Sequence, residues 1–270
     1  MTAAVRPPLL NDANFQRLRD RVVHATGVHL AHDRRTLIAS RLHKRLRALR
    51  LADFDSYLDL LDSDPLHNEQ QHLLGLLIAH DSYFFREHRH FEFLARWLPG
   101  LGHPPRLWSA ACASGEEAWS LAMVCAEHAP YAGWEVLASD CNGALLQQAN
   151  VGVYDIAQAR YFPDGWLGRH CLCGVDDMAG RLRIAPALRE QVRFETINLI
   201  HPLPTALGAF DVIVLRNLLA SFTERHRADV LRRVVLHLRP GGVLVIGHSE
   251  SIHGLDLPLR PLLPSVFERL

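Results

Sequence analysis

The sequence predicts an α/β protein in two parts: an all-helical N-terminal domain over residues 1–100, then a Rossmann-like domain over 104–270. Three observations carry this prediction. Apolar residues recur at helical spacing through the first hundred positions. Gly100, Gly102 and Pro104–Pro105 then punctuate the chain as a domain boundary would. Past Pro105, short apolar runs alternate with helical patterns, the grammar of a parallel sheet covered on both faces.

Taken in order, Phe15, Leu18, Val22 and Val23 mark a helix over Asn14–Val23. Thr36–Leu49 is a stronger one, with Leu37, Ile38, Leu42, Leu46 and Leu49 as an apolar stripe and Arg41, Lys44, Arg45, Arg47 and Arg50 on the rest of the cylinder. Further helices are expected over Asp55–Leu61, His67–Ala79 and Glu87–Leu98. The strands expected next are Arg106–Ala111, Glu135–Ser139, Val192–Glu195, Asp211–Leu215, Val243–Gly247 and a last one over Ser265–Arg269. Helical patterns at Glu116–Glu127, Gly143–Asn150 and Glu224–Leu238 fill the spaces. Residues 156–188 break the rhythm with turn residues and short strand-like runs, and read as a small inserted β-subdomain.

Composition excludes several classes. With 49% apolar and 21% charged residues the chain is globular rather than disordered. No window approaches the roughly 18 apolar residues of a membrane span, and the opening MTAAVRPPLL is no signal peptide. Five cysteines form no disulfide framework. A cytoplasmic, monomeric protein without membrane insertion is expected. The net charge of zero hides an asymmetry: residues 1–50 hold 11 basic groups against 3 acidic, and the remainder 18 against 26. An Arg-dense helix is either a solvated bundle face or a docking surface for an acidic helix or nucleic acid. The absence of aromatic residues from 36–50 argues against base stacking.

In parallel α/β folds, ligands sit at the carboxyl ends of the strands. The first strand-to-helix turn here is Ala110-Ala111-Cys112-Ala113-Ser114-Gly115-Glu116-Glu117, small residues opening a helix. Asp140, at the end of the second strand, stands where a carboxylate grips ribose hydroxyls, with a helix N-cap as the plainer alternative. Asn198-Leu199 and Asn217-Leu218 follow two further strands, and an Asn there serves either as a turn former or as a two-way hydrogen-bonding group for a ligand. His170, Cys171 and Cys173 make a weak Cys-x-Cys pattern with no second pair, so no metal is expected.

Several separated segments together resemble a known family. They are Arg41-Leu42-His43-Lys44-Arg45-Leu46, Phe84-Phe85-Arg86-Glu87, Trp108 through Glu117, Phe210-Asp211-Val212-Ile213 with Arg216-Asn217, Leu238-Arg239-Pro240-Gly241-Gly242, and Gly247-His248-Ser249-Glu250. In this order, over nearly the whole chain, they resemble the CheR-type chemoreceptor glutamate methyltransferases. The resemblance implies a class I S-adenosylmethionine (SAM) methyltransferase domain behind a helical receptor-docking domain, with S-adenosylhomocysteine (SAH) as product. It implies that Arg86 reaches the cofactor and the reacting carboxylate, and that Ala111, Gly115 and Glu116 line the methionine end. Asp140 would hold ribose, Asn198 and Leu199 would flank adenine, and Asn217 and Leu218 would close the site beneath the sulfonium. Arg41, Lys44, Arg45 and Arg47 would dock on the helical bundle of a methyl-accepting chemoreceptor, in keeping with the charge asymmetry.

Three positions depart from the pattern. Ser221 stands where the family has a tyrosine near the transferring methyl, His80-Asp81-Ser82 replaces a polar Asn-x-Thr, and Ala118 replaces a proline. The implied site therefore lists Ser221 as a catalytic position and His80 and Ser82 as cofactor contacts. The rival readings are a SAM-binding or receptor-binding regulator that has lost catalysis, and a methyltransferase acting on small molecules or nucleic acid.

Overall fold

The computed structural model describes residues 8–64, 68–78 and 82–270. The chain divides into two compact units, Met1–Ala79 with Ser221–Thr223, and His80–Ala220 with Glu224–Leu270. The division falls earlier than the boundary expected near 100–104, because the helix Arg89–Trp97 packs on the second unit.

Among the described residues the first unit holds four α-helices: α1 (Asp12–Thr26), α2 (Arg35–Leu49), α3 (Phe54–Asp62) and α4 (Asn68–Leu77). Asn11 starts α1 by accepting the Asn14 backbone N–H at 2.8 Å. Phe15, Leu18 and Val22 of α1, Ile38, Leu42 and Leu46 of α2, and Tyr57, Leu58 and Leu61 of α3 are buried at helical spacing. Leu37, expected on the same stripe, is 48% exposed. It lies one residue, about 100° of helix, from Ile38, and so falls outside the face that packs. The segment Ser221–Thr223 joins this unit through an antiparallel bridge between Val28 and Phe222.

The second unit begins with α5 (Arg89–Trp97) and continues as β1 (Arg106–Ser109), α6 (Glu116–His128), β2 (Glu135–Asp140) and α7 (Gly143–Val151). The insertion follows: β3 (Val153–Asp155), α8 (Trp166–His170), β4 (Cys171–Cys173) and β5 (Arg181–Ile184) make a three-stranded antiparallel sheet in the order β3-β5-β4. Then come α9 (Pro186–Arg189), β6 (Val192–Thr196), β7 (Phe210–Leu215), α10 (Glu224–Leu236), β8 (Leu238–Ile246), β9 (Leu259–Leu263) and β10 (Val266–Arg269). The main sheet runs β6-β2-β1-β7-β8-β10-β9. β1 pairs in parallel with β2 and β7, and every residue of β7 is buried, as a central strand covered on both faces requires.

The expected all-parallel sheet gains an antiparallel edge. β9 was not read from sequence, and it forms a hairpin with β10, which pairs antiparallel to β8. From β1 the chain steps outward to β2 and β6, then returns to the other side of β1 at β7. The strand order therefore reverses between β1 and β7. In an open α/β sheet the crevice outside the carboxyl ends of such a pair is where a ligand binds.

Candidate cofactor and active site

The turn after β1 is stitched to both neighbouring strands. The Ala110 N–H donates to the Val214 carbonyl of β7, and the Cys112 N–H to the Ser139 carbonyl of β2, each at 2.9 Å. Within the turn Ala113 takes a left-handed φ of 48° and Gly115 one of 97°. A Cβ on Gly115 would stand 2.7 Å from the Ala149 Cβ and 2.9 Å from the Tyr154 hydroxyl, so glycine is required for packing against α7 as well as for the turn. Tyr154 donates to the Ser114 carbonyl at 2.7 Å, and the Ser114 hydroxyl to Glu116 at 2.7 Å. Ala111 lies half-buried in the same turn, and Glu116 opens α6.

Asp140 closes β2 and is buried. Its carboxylate accepts two backbone N–H groups, from Ala113 at 3.1 Å and Asn142 at 2.9 Å, so it ties the two strand-end turns together. The N-cap of α7 is Asn142, whose side chain accepts from Ala144 at 3.1 Å, so the cap alternative for Asp140 does not hold. Asn198 turns on itself, its side-chain oxygen accepting the Ile200 N–H at 3.3 Å, and Leu199 is buried beside it.

At the end of β7, Arg216 is the hub of a buried polar network. Its Nε donates to Glu117 at 2.8 Å and its Nη1 to the Arg86 carbonyl at 2.6 Å, while Glu87 lies 3.6 Å away. Glu117 also accepts from the Ser109 hydroxyl at 2.6 Å. Glu87 accepts from the Asn217 amide at 3.0 Å and from the His248 backbone N–H at 3.2 Å. Burial pushes the Glu87 carboxyl up. The Asn217 bond, the Arg216 charge and the His248 N–H outweigh that push and hold it below its ordinary range. His90 has both ring nitrogens engaged, Nδ1 with Arg216 at 3.1 Å and Nε2 with the Ser265 hydroxyl at 2.8 Å. Burial, then the adjacent Arg216 charge, depress it to about 4 against the pull of Glu87, which keeps it neutral.

The segment that carries Arg86 is held from both ends. The Phe85 N–H donates to Ser120 at 3.0 Å, and Phe84 and Phe85 pack edge-on against Tyr154 and Phe91. Phe85 and Glu87 bracket Arg86 with positive φ values of 54° and 59°. Backbone of this kind persists only where its surroundings over-determine it. The Arg86 guanidinium lies 5.9 Å from the Tyr83 ring, which stacks on Tyr161 at 4.5 Å.

The structure thus brings Ala111, Gly115, Glu116, Asp140, Asn198, Leu199, Asn217 and Leu218 to the carboxyl ends of four strands, with Ser82 and Arg86 on a segment anchored to the same end. His80 lies outside the described residues. Ser221 ends a short 3-10 turn from Leu219 and belongs by its contacts to the first unit, where its carbonyl accepts the His29 N–H at 2.7 Å.

In the first unit Lys44 and Arg47 are exposed on α2, and Arg41 is half-buried with a bond to the Leu76 carbonyl at 2.8 Å. Arg45 departs from the docking face expected of it. It forks onto Glu69 of α4 at 3.0 and 3.2 Å, and Tyr57 of α3 donates to the same carboxylate at 2.7 Å.

Sequence reasoning had Glu87, Glu117, Arg216 and Glu250 within the resembling segments without giving them a supporting role, and did not single out His90. One signal pointed at them: Arg216 is a lone charge closing the apolar run Val212–Leu215.

The donor set suits SAM. Among the described residues the strand-end segments carry the carboxylates Glu87, Glu116, Glu117, Asp140 and Glu250, with Arg86, Arg216 and Arg233, which donates to the Leu199 carbonyl at 2.8 Å, as cations beside them, and His90 is neutral. A site so rich in acceptors complements a ligand with a sulfonium, an ammonium and ribose hydroxyls.

The comparisons agree. Residues 80–262 match the family described as CheR methyltransferase, SAM binding domain, and residues 13–78 match CheR methyltransferase, all-alpha domain. A chemotaxis protein methyltransferase of Escherichia coli is 35% identical over 249 residues, covering 92% of this chain and 87% of that protein. One from Salmonella typhimurium is 34% identical, covering 91% and 86%, and chemotaxis protein methyltransferase 2 of Pseudomonas aeruginosa is 36% identical, covering 90% and 89%. With both domain descriptions and these relatives spanning nearly its full length, the chain belongs to the CheR methyltransferase family and takes SAM as its cofactor.

Proposed function

We propose that the protein transfers the methyl group of SAM to glutamate side chains of methyl-accepting chemoreceptors, working in the cytoplasm as a monomer. Among the described residues no helix is long and apolar enough to cross a membrane. Bound SAM supplies a sulfonium methyl open to in-line attack. A glutamate carboxylate is already ionised near pH 7, so the chain needs no strong base. Its work is alignment and removal of water.

The observation that carries the reading is the 2.6 Å bond from Arg216 to the Arg86 carbonyl, which fixes the Arg86 segment to the end of β7. An arginine so anchored can take a substrate carboxylate bidentately and aim one oxygen. Asp140 holds ribose with the acceptor capacity its two backbone bonds leave, and Ala111, Gly115 and Glu116 take the methionine end. Asn198 and Leu199 take adenine, and Ser82 and Leu218 complete the walls. Ser221, too short to act as the tyrosine of the family pattern would, leaves orientation of the substrate to Arg86. Lys44 and Arg47, with Arg41 beside them, dock on an acidic receptor helix.

Calorimetric titration with SAM and SAH tests the cofactor site without a receptor in hand. Binding in the micromolar range, lost in Asp140→Ala, is the expected result. Undiminished binding by that variant would overturn the assignment. Transfer of labelled methyl to receptor glutamates, abolished by Arg86→Ala with a much smaller loss of SAM affinity, is the expected result for the second half of the proposal.

A further inference from the structure

Tyr83, Phe84 and Phe85, the three residues before Arg86, pack on the inserted subdomain in two layers of rings. In the inner layer Phe84 meets Phe162 at 4.7 Å, and Phe85 meets Phe162 at 5.7 Å and Trp166 at 5.6 Å. Phe84 and Phe85 are buried, and these contacts anchor the backbone as core aromatics do. In the outer layer the residues preceding Phe84 and Phe162 meet each other, Tyr83 with Tyr161 at 4.5 Å. Both tyrosines are half-buried, and the pair carries a guanidinium at each end. Arg86 lies over the Tyr83 ring at 5.9 Å. Arg160 lies over the Tyr161 ring at 4.6 Å and donates to its hydroxyl at 2.7 Å.

The backbone brings Arg86 to this ring. Its N–H donates to the Tyr83 carbonyl at 3.4 Å, closing a four-residue turn that joins residues 83 and 86. Positive φ at Phe85 and the Arg216 bond to the Arg86 carbonyl hold the turn in shape. Tyr161 is seated as firmly. It ends a 3-10 turn that Asp155 caps by accepting the Ala157 N–H at 2.8 Å, and the Phe162 N–H donates to the Ala159 carbonyl at 3.0 Å. An arginine side chain has about 2 kcal/mol of rotamer freedom, and an aromatic face within about 6 Å attracts its charge. Confining that freedom before the substrate arrives is what pre-organisation requires.

We infer that Tyr83 is a positioning residue for methyl transfer: its ring, backed by Tyr161 of the insertion, holds the Arg86 guanidinium in the direction from which it grips the substrate carboxylate. This rests on the role proposed above for Arg86. The ring acts and the hydroxyl does not, so the inserted subdomain reaches the reacting groups through one aromatic contact.

Two measurements on the full chain test the stack. The first is transfer of tritiated methyl from SAM to membranes carrying a methyl-accepting chemoreceptor. Tyr83→Leu keeps bulk and removes the ring; it is expected to lower kcat about tenfold, with receptor KM within about twofold and SAM affinity within about threefold of the parent. Tyr83→Phe is expected to keep the parental kcat. Tyr161→Leu is expected to lose less than Tyr83→Leu, and the double variant no more than Tyr83→Leu alone, because Tyr161 acts through Tyr83. A loss in Tyr83→Phe, a fall in SAM affinity as large as that in kcat, or additive losses overturn the inference.

The second measurement needs no receptor. In protein with isotope-labelled arginine and SAH bound, the Arg86 Nε–H resonance, assigned by its loss in Arg86→Lys, feels the ring current of Tyr83. It is expected to move downfield in Tyr83→Leu and to stay in place in Tyr83→Phe. A resonance that Tyr83→Leu leaves unmoved overturns the stack. Should Tyr83→Leu fail to fold, Tyr161→Leu decides, and parental kcat with an unmoved resonance is the overturning result. Parental transfer by Arg86→Ala would sink the role of Arg86 and this inference with it. With Arg86→Ala inactive, the overturning results for Tyr83 sink the stack alone.

Discussion

Each unit ties an arginine into a polar cluster, half-buried Arg45 in one and buried Arg216 in the other, and the two clusters are built differently. In the helical unit Arg45, Glu69 and Tyr57 come from three helices of regular backbone and satisfy one another. Burial raises the Glu69 carboxyl, and the bonds from Arg45 and Tyr57 outweigh it to hold the group below its usual range. In the sheet unit Arg216 and its partners hang on strand ends and loops, where Phe85, Glu87 and Asn217 take positive φ. The first cluster closes on itself. The second spends its bonds on a backbone carbonyl, an amide and backbone N–H groups, and so fixes the shape of loops that face a ligand crevice. Similar charge chemistry serves as a lock between helices in one unit and as a frame for a site in the other.

Removing the two arginines breaks the comparison most forcefully. The Arg216 side chain is 2% exposed, and Arg216→Met leaves Glu117 and Glu87 without their cation, which is expected to cost about 3–5 kcal/mol. Arg45 is 23% exposed at its side chain, so Arg45→Met should cost less, about 2 kcal/mol after discounting for solvent. All five tryptophans, Trp97, Trp108, Trp119, Trp134 and Trp166, lie in the second unit, so tryptophan fluorescence follows its unfolding alone while circular dichroism follows both. Arg216→Met should shift the fluorescence transition and abolish SAM binding. Arg45→Met should shift only the dichroism and leave SAM binding intact. Loss of SAM binding in Arg45→Met would erase the distinction between lock and frame.

The pH response sharpens the same contrast. Folded His90 sits at about 4 against 6.5 for the unfolded chain, so between these values the unfolded state takes up a proton that the folded state refuses. Stability of the sheet unit therefore falls as pH drops from 6.5 toward 4, by about 3 kcal/mol at the lower end. Glu87 and Glu69, both depressed, add stability that is present above the unfolded carboxyl value of 4.5 and lost as pH falls below it. Denaturant melts followed by fluorescence at pH 7, 6, 5 and 4 should show the His90 slope. His90→Gln, which can still accept from Arg216 and donate to Ser265, should flatten it. An unchanged slope would mean that another group titrates in that window.

The contrast also marks what could be read from the chain. Ile38, Leu42 and Leu46 announce α2 because helical burial is periodic, and the buried run of β7 announces a central strand. Arg45 looks like one more basic residue on a solvated face, since its partner Glu69 lies 24 residues away and periodicity carries no information at that range. Asp140 and the Ala110–Gly115 turn were legible because composition and strand position coincide there. The bonds from Asn217 to Glu87 and Glu250 were not, because they depend on backbone at Asn217 that local pattern does not encode and on partners 130 and 33 residues distant. β10 lies where the last strand was expected, over Ser265–Arg269, but its partner β9 was not legible because Leu259–Leu263 is exposed along most of its length and has neither alternation nor a continuous buried run.

The smallest perturbation isolates the lock from everything else. Tyr57 is buried, and its hydroxyl makes one 2.7 Å bond to Glu69, so Tyr57→Phe removes a single hydrogen bond and leaves the ring in its packing. Glu69 retains the Arg45 fork and the charge it needs, so no uncompensated ion is created. The expected cost is about 1.5 kcal/mol, the low end of the range for a hydrogen bond to a charged group. It should appear in the dichroism-monitored transition and not in the tryptophan signal, with SAM affinity unchanged. The same variant should also raise the Glu69 carboxyl, because one of the bonds that hold it down is gone. The acid limb of the helical unit's stability should then move to higher pH. A change in SAM affinity would instead mean that the triad acts on the strand-end site as well.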